Sequence, residues 1–303
     1  MRTKFFLFVF LFSYSIYAGG FENLGAHSRV VSLGGAFTGI GDASYTVFYN
    51  PAGIATLSQF EFTSTYNKLF SGIDDDLYYL TFSSNLPIGK LGNLGTGLTH
   101  LKAGGWQENT LIISYAKNLV GTFNLGGSFK FLRWNAEAAP GEATQTYTGF
   151  TFDLGVFYTI QNIFGNGIMR FGASALDITQ PSISINGSDD AKLPIKFATG
   201  ISYYSPNFNY LIAVDGVKEN KNYVLKFGAE FLGMKTNVLG IETRIFIRGG
   251  YNSSIINSPL KQSSINGGFG IWVDKMKIDY GYFNHMEIQT LGGSHIISIG
   301  YQF

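Results

Sequence analysis

The chain has 303 residues, of which 14% are charged and 45% are hydrophobic, whereas a typical soluble domain carries about 25% charged residues. Its formal net charge of +1 produces no field that would concentrate nucleic acid. The absence of cysteine excludes disulfides, thiolate metal sites and cysteine nucleophiles. The composition therefore argues against a free soluble enzyme and against a nucleic-acid-binding protein.

The first residues have the pattern of a secretory signal. Arg2 and Lys4 precede an apolar run from Phe5 to Phe12, and the small residue Ala18 stands where a signal peptidase would cleave. A membrane anchor is the alternative, but the run is shorter than the roughly 20 residues that a spanning helix needs. We therefore expect residues 1–18 to be a cleaved signal peptide and the remaining chain to be exported.

From Gln59 onward, apolar residues recur at every second position in short segments separated by Gly, Asn, Asp, Ser and Pro, a pattern typical of strands. The segments are centred near residues 64, 81, 98, 113, 127, 154, 172, 200, 212, 227, 245, 269, 280 and 299, so we predict about fourteen strands. Closed bacterial barrels have an even number of antiparallel strands, with apolar side chains toward lipid and polar side chains toward the lumen. A secreted β-sandwich, which also alternates, is the rival fold.

The predicted connections favour the barrel. Those after strands five, seven, eleven and thirteen are long and those after even-numbered strands are short, as in outer-membrane barrels with long external loops and short periplasmic turns. We therefore predict that residues 134–147, 179–194, 252–262 and 285–293 are extracellular. The chain also ends in Phe303 on an alternating strand, an ending that resembles the one by which bacterial outer membranes recognise barrel substrates.

The polar positions of the strands supply the lumen candidates. By alternation, the lumen-facing polar residues are Asp153, Lys226, Glu230, Arg244 and Arg248. A shift of one residue in register would turn each of them toward lipid.

Residues 19–57 do not alternate and carry the most specific motif. This segment contains Gly34-Gly35, then Asp42-Ala43-Ser44, and finally Asn50-Pro51-Ala52-Gly53 just before the first strand. Asn50 is suited to cap a short helix in which Pro51 takes the first position. Taken alone, the last motif is an ordinary turn into a short helix.

This block resembles the start of the outer-membrane long-chain fatty acid transporter (FadL-type) superfamily and of the related PorV and PorQ proteins of type IX secretion. The resemblance implies an all-β fold, a transmembrane antiparallel β-barrel of about 14 strands with an N-terminal hatch inside the lumen. Residues 19–57 would be the hatch, and residues 58–303 the barrel in the outer membrane of a Gram-negative-type bacterium.

The same resemblance implies facilitated uptake of long-chain fatty acids or similar hydrophobic compounds. The alternative is a PorV/PorQ-like component of type IX protein secretion. The expected partners are outer-membrane lipid, together with a hydrophobic small-molecule ligand in the first case and secretion-machinery proteins in the second. This chain is shorter than the fatty acid transporters, which moves it toward the PorV-like relatives.

Catalytic and cofactor motifs are not recognisable in the sequence. The four histidines, His27, His100, His285 and His295, are scattered and lack the spacing of a zinc site. No Gly-x-Ser-x-Gly is present. We therefore predict no covalent chemistry, no cofactor and no metal.

Overall fold

A computed structural model describes residues 20–73, 76–138, 143–185, 191–238, 240–256, 263–286 and 289–303 of the chain. The predicted signal peptide, residues 1–18, lies outside the described residues. Among the described helices, none has the length and apolar character needed to cross a membrane.

Fourteen antiparallel strands form the structure. Their bounds are β1 Glu61–Lys68, β2 Leu77–Pro87, β3 Asn93–Ala103, β4 Trp106–Val120, β5 Phe123–Ala136, β6 Gln145–Ile163, β7 Gly167–Leu176, β8 Lys196–Ser205, β9 Tyr210–Glu219, β10 Asn222–Val238, β11 Ile241–Ile256, β12 Ser263–Val273, β13 Met276–His285 and β14 Ser294–Gln302. Each strand pairs with its neighbours in sequence, and β1 pairs with β14 to close the barrel. The predicted barrel is confirmed, and every predicted strand centre falls within a strand.

The two faces of the wall differ as the alternation predicts. On the outer face Phe129, Leu154 and Phe227 are 40%, 56% and 42% exposed, whereas the intervening Ser128 and Asp153 on the inner face are 5% and 1% exposed. Apolar side chains pointing outward and polar side chains pointing inward are the arrangement of a membrane barrel.

The connections give the barrel a direction. The even-numbered strands are followed by short turns at residues 88–92, 121–122, 164–166, 206–209 and 274–275, and β11 begins three positions after the last residue of β10. The longer connections all follow odd-numbered strands, although 104–105 and 220–221 are also tight turns. Because short turns face the periplasm in outer-membrane barrels, we call the end with the even-strand turns the periplasmic end.

Three predicted external loops include strand residues. Within 134–147, β5 ends at Ala136 and β6 begins at Gln145; residues 252–256 belong to β11, and His285 is the last residue of β13. The apolar alternation stops before these strand ends, because Asn135 in β5 and Ser253-Ser254 in β11 are polar.

Residues 20–57, which we call the N-terminal segment, lie inside the barrel. A short helix, α1 (Ser28–Ser32), packs on β11 to β14, and two 3₁₀ helices, Ser44–Phe48 and Pro51–Thr56, pack on β1 to β3 and on β3 to β6. A buried apolar cluster in the segment includes Leu33, Phe37 and Ile40, each 0% exposed. The helices of the segment therefore contact every strand of the wall except β7 to β10. Loops of the segment contact these four strands, as described below.

Asn50 fixes the end of this segment. Its Oδ1 accepts a hydrogen bond from the Ala52 N–H at 3.1 Å, and Pro51 takes the first helical position, as the sequence predicts. Its Nδ2 donates to the carbonyl oxygens of Thr38 at 3.2 Å and Val156 at 3.0 Å. One side chain thus joins two parts of the segment to strand β6.

Glycines in the wall allow the segment's backbone to lie directly on the strands. A Cβ at Gly172 would lie 1.9 Å from the Thr38 carbonyl oxygen, and one at Gly250 would lie 2.0 Å from the Gly34 nitrogen. Gly34 itself has a φ of 66°, a left-handed conformation that favours glycine. Larger residues at these wall positions would push the segment away.

Candidate functional site

The middle of the lumen is crossed by a buried network of charges centred on Arg29 of α1. Its guanidinium donates to both oxygens of Glu230 on β10, at 2.7 and 2.9 Å, and to both oxygens of Asp42, at 2.7 and 3.1 Å. Arg29 is 3% exposed. Two bidentate pairs on one guanidinium give a strong and directional connection between α1, the loop at Asp42 and the barrel wall.

The network continues along the wall through Arg248 on β11. Its Nε donates to Glu230 at 2.5 Å and its Nη1 donates to Asp279 on β13 at 2.5 Å. Glu230 therefore accepts from two arginines, one on the N-terminal segment and one on the wall. Because buried charges are stable only when paired, these residues require one another.

His27 lies beside the network as the cap of α1. Its Nδ1 accepts a hydrogen bond from the Arg29 backbone N–H at 3.1 Å, and its ring stacks on Tyr45 with centroids 3.7 Å apart. Burial, reinforced by the nearby cations of Arg248 and Arg29, lowers the pKa of His27 well below its usual value. The ring is therefore neutral at physiological pH.

Asp215 on β9 forms a second attachment. One of its carboxylate oxygens accepts hydrogen bonds from the backbone N–H groups of Phe37 at 2.8 Å and Thr38 at 2.7 Å. Lys226, directly opposite Asp215 on β10, lies beside Gly35. The turn of the segment at residues 35–38 is thereby held against β9 and β10.

The periplasmic end of the lumen has its own contacts. Glu61, the first residue of β1, accepts from the Ser44 N–H at 2.9 Å and from Lys277 Nζ at 2.5 Å. Asn93, the first residue of β3, donates to the Ile54 and Leu57 carbonyl oxygens, each at 2.7 Å. The 3₁₀ helices are thus fixed where the chain enters the first strand.

At the opposite end, the segment's first residues approach the extracellular mouth. The Phe21 N–H donates to Glu108 at 2.7 Å, and the Glu22 carboxylate pairs with Lys196 Nζ at 2.6 Å. The β7–β8 connection folds over this region, since Trp134 Nε1 donates to the Ile183 carbonyl oxygen at 2.7 Å. The N-terminal segment and the β7–β8 connection together narrow the extracellular mouth.

Lys130 on β5 pairs with Asp153 and Asp177, each at 3.0 Å. Beside it is a cavity of about 40 Å³, lined on the segment's side by Phe21, Asn23 and Phe48. That volume holds a few water molecules. In this state the cavity is too small for a long apolar molecule.

The structure brings only some of the sequence-predicted residues together. Glu230 and Arg248 share the central network with Asp42, whereas Asp153 lies with Lys130 and Lys226 lies beside Gly35. Arg244 is on the same face as Arg248 but is 36% exposed and pairs with Glu242 at 3.2 Å, near the periplasmic turn. Of the motif residues, Ala43, Ser44, Asn50, Pro51, Ala52 and Gly53 are buried in the lumen with Gly34, while Gly35 is partly buried.

Sequence reasoning missed Arg29, Asp215 and Asp279. No local motif marks them, and Arg29 stands in a stretch that does not alternate. A usable signal was the scarcity of charge, because in a chain with 14% charged residues an arginine within an apolar, glycine-rich segment requires a buried acidic partner.

Solved structures share this architecture. The Ralstonia pickettii toluene transporter TbuX matches with a TM-score of 0.62 and 12% identity, covering 92% of this chain and 98% of that one. The Pseudomonas putida toluene transporter TodX gives 0.60 and 11%, covering 92% and 98%. A Pseudomonas aeruginosa FadL homologue gives 0.60 and 10%, covering 92% and 98%.

At these identities the likeness shows the fold alone. A search of curated proteins gave no significant match. A family model described as "Type IX secretion system membrane protein PorP/SprF" matches residues 43–301, which include the Asn50-Pro51-Ala52-Gly53 motif, strands β1 to β13 and β14 as far as Tyr301. The chain is thus an outer-membrane-type β-barrel, and it belongs to the PorP/SprF family of type IX secretion system membrane proteins.

Proposed function

We propose that this chain is an outer-membrane component of type IX protein secretion that works as a closed barrel, without covalent chemistry. The observation that carries the proposal is the family match over residues 43–301. In this proposal residues 1–18 are removed as a signal peptide, residues 19–57 form a hatch and residues 58–303 form the barrel. Its partners are outer-membrane lipid around the wall and proteins of the secretion machinery.

The contents of the lumen support a closed barrel. Charges that a solute channel would present to water are here paired with one another, as in the contacts of Glu230 with Arg29 and Arg248. The hatch is attached at its middle, at its periplasmic end through Glu61 and at the mouth through Lys196. A barrel filled in this way is better suited to present surfaces to other proteins than to pass small solutes.

Uptake of long-chain fatty acids or similar hydrophobic compounds is the second candidate. The observation that favours it is the fold shared with the toluene transporters, which is an argument from fold alone. The cavity beside Phe21 and Phe48 would have to enlarge through movement of the hatch before such a ligand could enter.

The test is deletion of the gene in its own organism, followed by two measurements in the same strain. One is the amount of type IX cargo in the culture medium, and the other is the uptake rate of radiolabelled toluene and oleate. We expect cargo secretion to fall and uptake to stay unchanged, with both restored to wild-type values by the intact gene. Normal secretion in the deletion strain would refute the secretion role, and lost uptake would establish the second candidate.

A further inference from the structure

The hairpin of β10 and β11 extends beyond its neighbours at the periplasmic end. β10 pairs with β11 as far as Val238, but it pairs with β9 only as far as Phe231, opposite Tyr210. The last backbone hydrogen bond on the β9 side runs from the Leu232 N–H to the Asn209 carbonyl oxygen at 2.9 Å. Beyond that point, no strand of the described chain pairs with residues 233–238 along this edge.

The other edge of the hairpin is covered. β11 pairs with β12 up to Thr243, opposite Val273, and the Asp274 N–H donates to the Glu242 carbonyl oxygen at 2.9 Å. The free edge therefore belongs to β10 alone. A free strand edge presents unpaired N–H and C=O groups that can pair with a strand from another chain.

The geometry of the hairpin identifies which backbone groups are available. Val238 pairs with Ile241, only two positions further along the chain than its neighbour in sequence. In hairpins with this spacing the two paired residues are hydrogen-bonded to each other. Because the direction of the backbone groups alternates along a strand, the N–H and C=O groups of Lys235 and Asn237 point to the free edge.

The edge also lies beyond the span of its neighbour. β9 has ten residues, Tyr210–Glu219, about the number that crosses a bilayer as a strand. Residues 233–238 continue past the level of Tyr210, and the Lys235 side chain is 60% exposed. The edge is therefore placed in the periplasm.

Basic residues flank this edge. On the β10–β11 hairpin and the neighbouring β12–β13 turn, the cations among the described residues are Lys235, Arg244 and Lys275, and the carboxylates are Glu242 and Asp274. Glu242 is itself paired with Lys235 at 3.0 Å and Arg244 at 3.2 Å. The excess of positive charge favours a partner that carries negative charge.

We propose that the free edge of β10, residues 233–238, binds an extended acidic segment of a periplasmic partner protein as an added β-strand. Backbone hydrogen bonds to Lys235 and Asn237 supply the pairing, and the nearby cations of Lys235, Arg244 and Lys275 favour an acidic sequence. This inference deepens the proposed secretion role and rests on it for the identity of the partner as a component of the machinery.

The test uses the full-length protein in detergent micelles and a fluorescent eight-residue peptide of alternating Glu and Val. Two matched peptides are the controls, one with alternate backbone amides methylated and one with Lys in place of each Glu. We expect the acidic peptide to bind, and each control to bind at least about tenfold more weakly, because one lacks backbone donors and the other has the wrong charge. Equal binding of the methylated peptide would overturn the proposal, as would no binding of the acidic one.

Variants locate the site. The double variant Lys235→Pro, Asn237→Pro removes both edge N–H donors and leaves the donors facing β11, since proline is tolerated on an edge strand. We expect it to bind the acidic peptide about tenfold more weakly, while Lys90→Pro, which removes a cation and an N–H on the opposite side of the barrel, binds nearly as well as the wild type. Equal losses in the two variants would contradict an edge site.

Hydrogen exchange of the wild type covers the case in which the double variant does not fold. The amides of Lys235 and Asn237 exchange rapidly in the free protein and are protected by the acidic peptide, whereas those of Thr236 and Val238 are protected throughout. Protection elsewhere on the barrel would overturn the proposal. A secretion defect in the deletion strain without peptide binding would refute only this inference, and peptide binding without a secretion defect would refute only the secretion role.

Discussion

Glu230 is the residue on which the central network depends, because Arg29 and Arg248 both donate to it. All three are at most 7% exposed, so water cannot replace a lost partner. Burying an ion pair gives little net stabilisation, but removing one member leaves an uncompensated charge and is costly.

We therefore expect Glu230→Gln to lower the free energy of unfolding by about 3–5 kcal/mol, measured as the urea midpoint of the heat-modifiable band on gels. Glu242→Gln is the matched control, since Glu242 also accepts from two cations, Lys235 and Arg244, but is 43% exposed. Its midpoint should stay close to that of the wild type. Similar losses in both variants would mean that the central network is not essential.

His27 should make stability depend on pH. The pKa of His27 is lowered in the folded protein by burial and by the Arg248 and Arg29 cations, whereas in the unfolded chain it is about 6.5. The unfolded state therefore binds more protons, so the contribution to stability is complete above about pH 6.5 and is lost as the pH falls below it.

We expect the urea midpoint to decrease between pH 7.5 and pH 5.5, at up to about 1.4 kcal/mol per pH unit in the free energy of unfolding. His27→Asn keeps a side-chain acceptor at the cap of α1 and should flatten this dependence. An unchanged slope in that variant would assign the titration to another group.

At the scale of elements, the N-terminal segment is held by its fit to the wall more than by its own helices. α1 has five residues, far fewer than the roughly 12–15 at which an isolated helix becomes marginally stable. Its Ser28 carbonyl group packs on Gly281 and its Ser32 side chain packs on Gly268, so the wall shapes the segment.

Gly250→Ala tests this fit. The added methyl group would lie 2.0 Å from the Gly34 nitrogen, whereas a methyl group at the neighbouring Gly249 meets nothing within 4 Å. We expect Gly250→Ala to increase the reactivity of a cysteine introduced at Ala36 with an aqueous maleimide, and Gly249→Ala to leave it unchanged. Equal reactivity in the two variants would show that the segment is not pressed against β11.

The elements differ in how far the sequence could predict them. Every strand centre was predicted, because burial on one face imposes a period of two on residues such as Phe150, Phe152 and Leu154. The ends of β5 and β11 were not predicted, because polar residues such as Asn135 and Ser253 interrupt the apolar alternation there. Arg29 was not predicted because its wall partner Glu230 is 201 positions away in sequence.

At the scale of the whole molecule, the assignment of inner and outer faces can be checked by labelling. The chain contributes no cysteine of its own, so single substitutions give unambiguous signals. We expect Lys226→Cys to react with a water-soluble maleimide and Phe227→Cys only with a membrane-soluble one, because adjacent residues of a strand point to opposite faces. The reverse result would shift the register of β10 by one residue.

The position of α1 also determines the order of assembly. The Ser28 N–H donates to Ser298 Oγ across 270 positions of sequence, and α1 packs on β11 to β14, the last strands to be made. Contacts between such distant parts of a chain form late and slowly. The N-terminal residues therefore reach their final position, and Arg29 pairs with Glu230, only after the last strands have formed. Ring closure and the burial of α1 then become a single terminal step of folding, and an intermediate stopped before it would be a leaking pore.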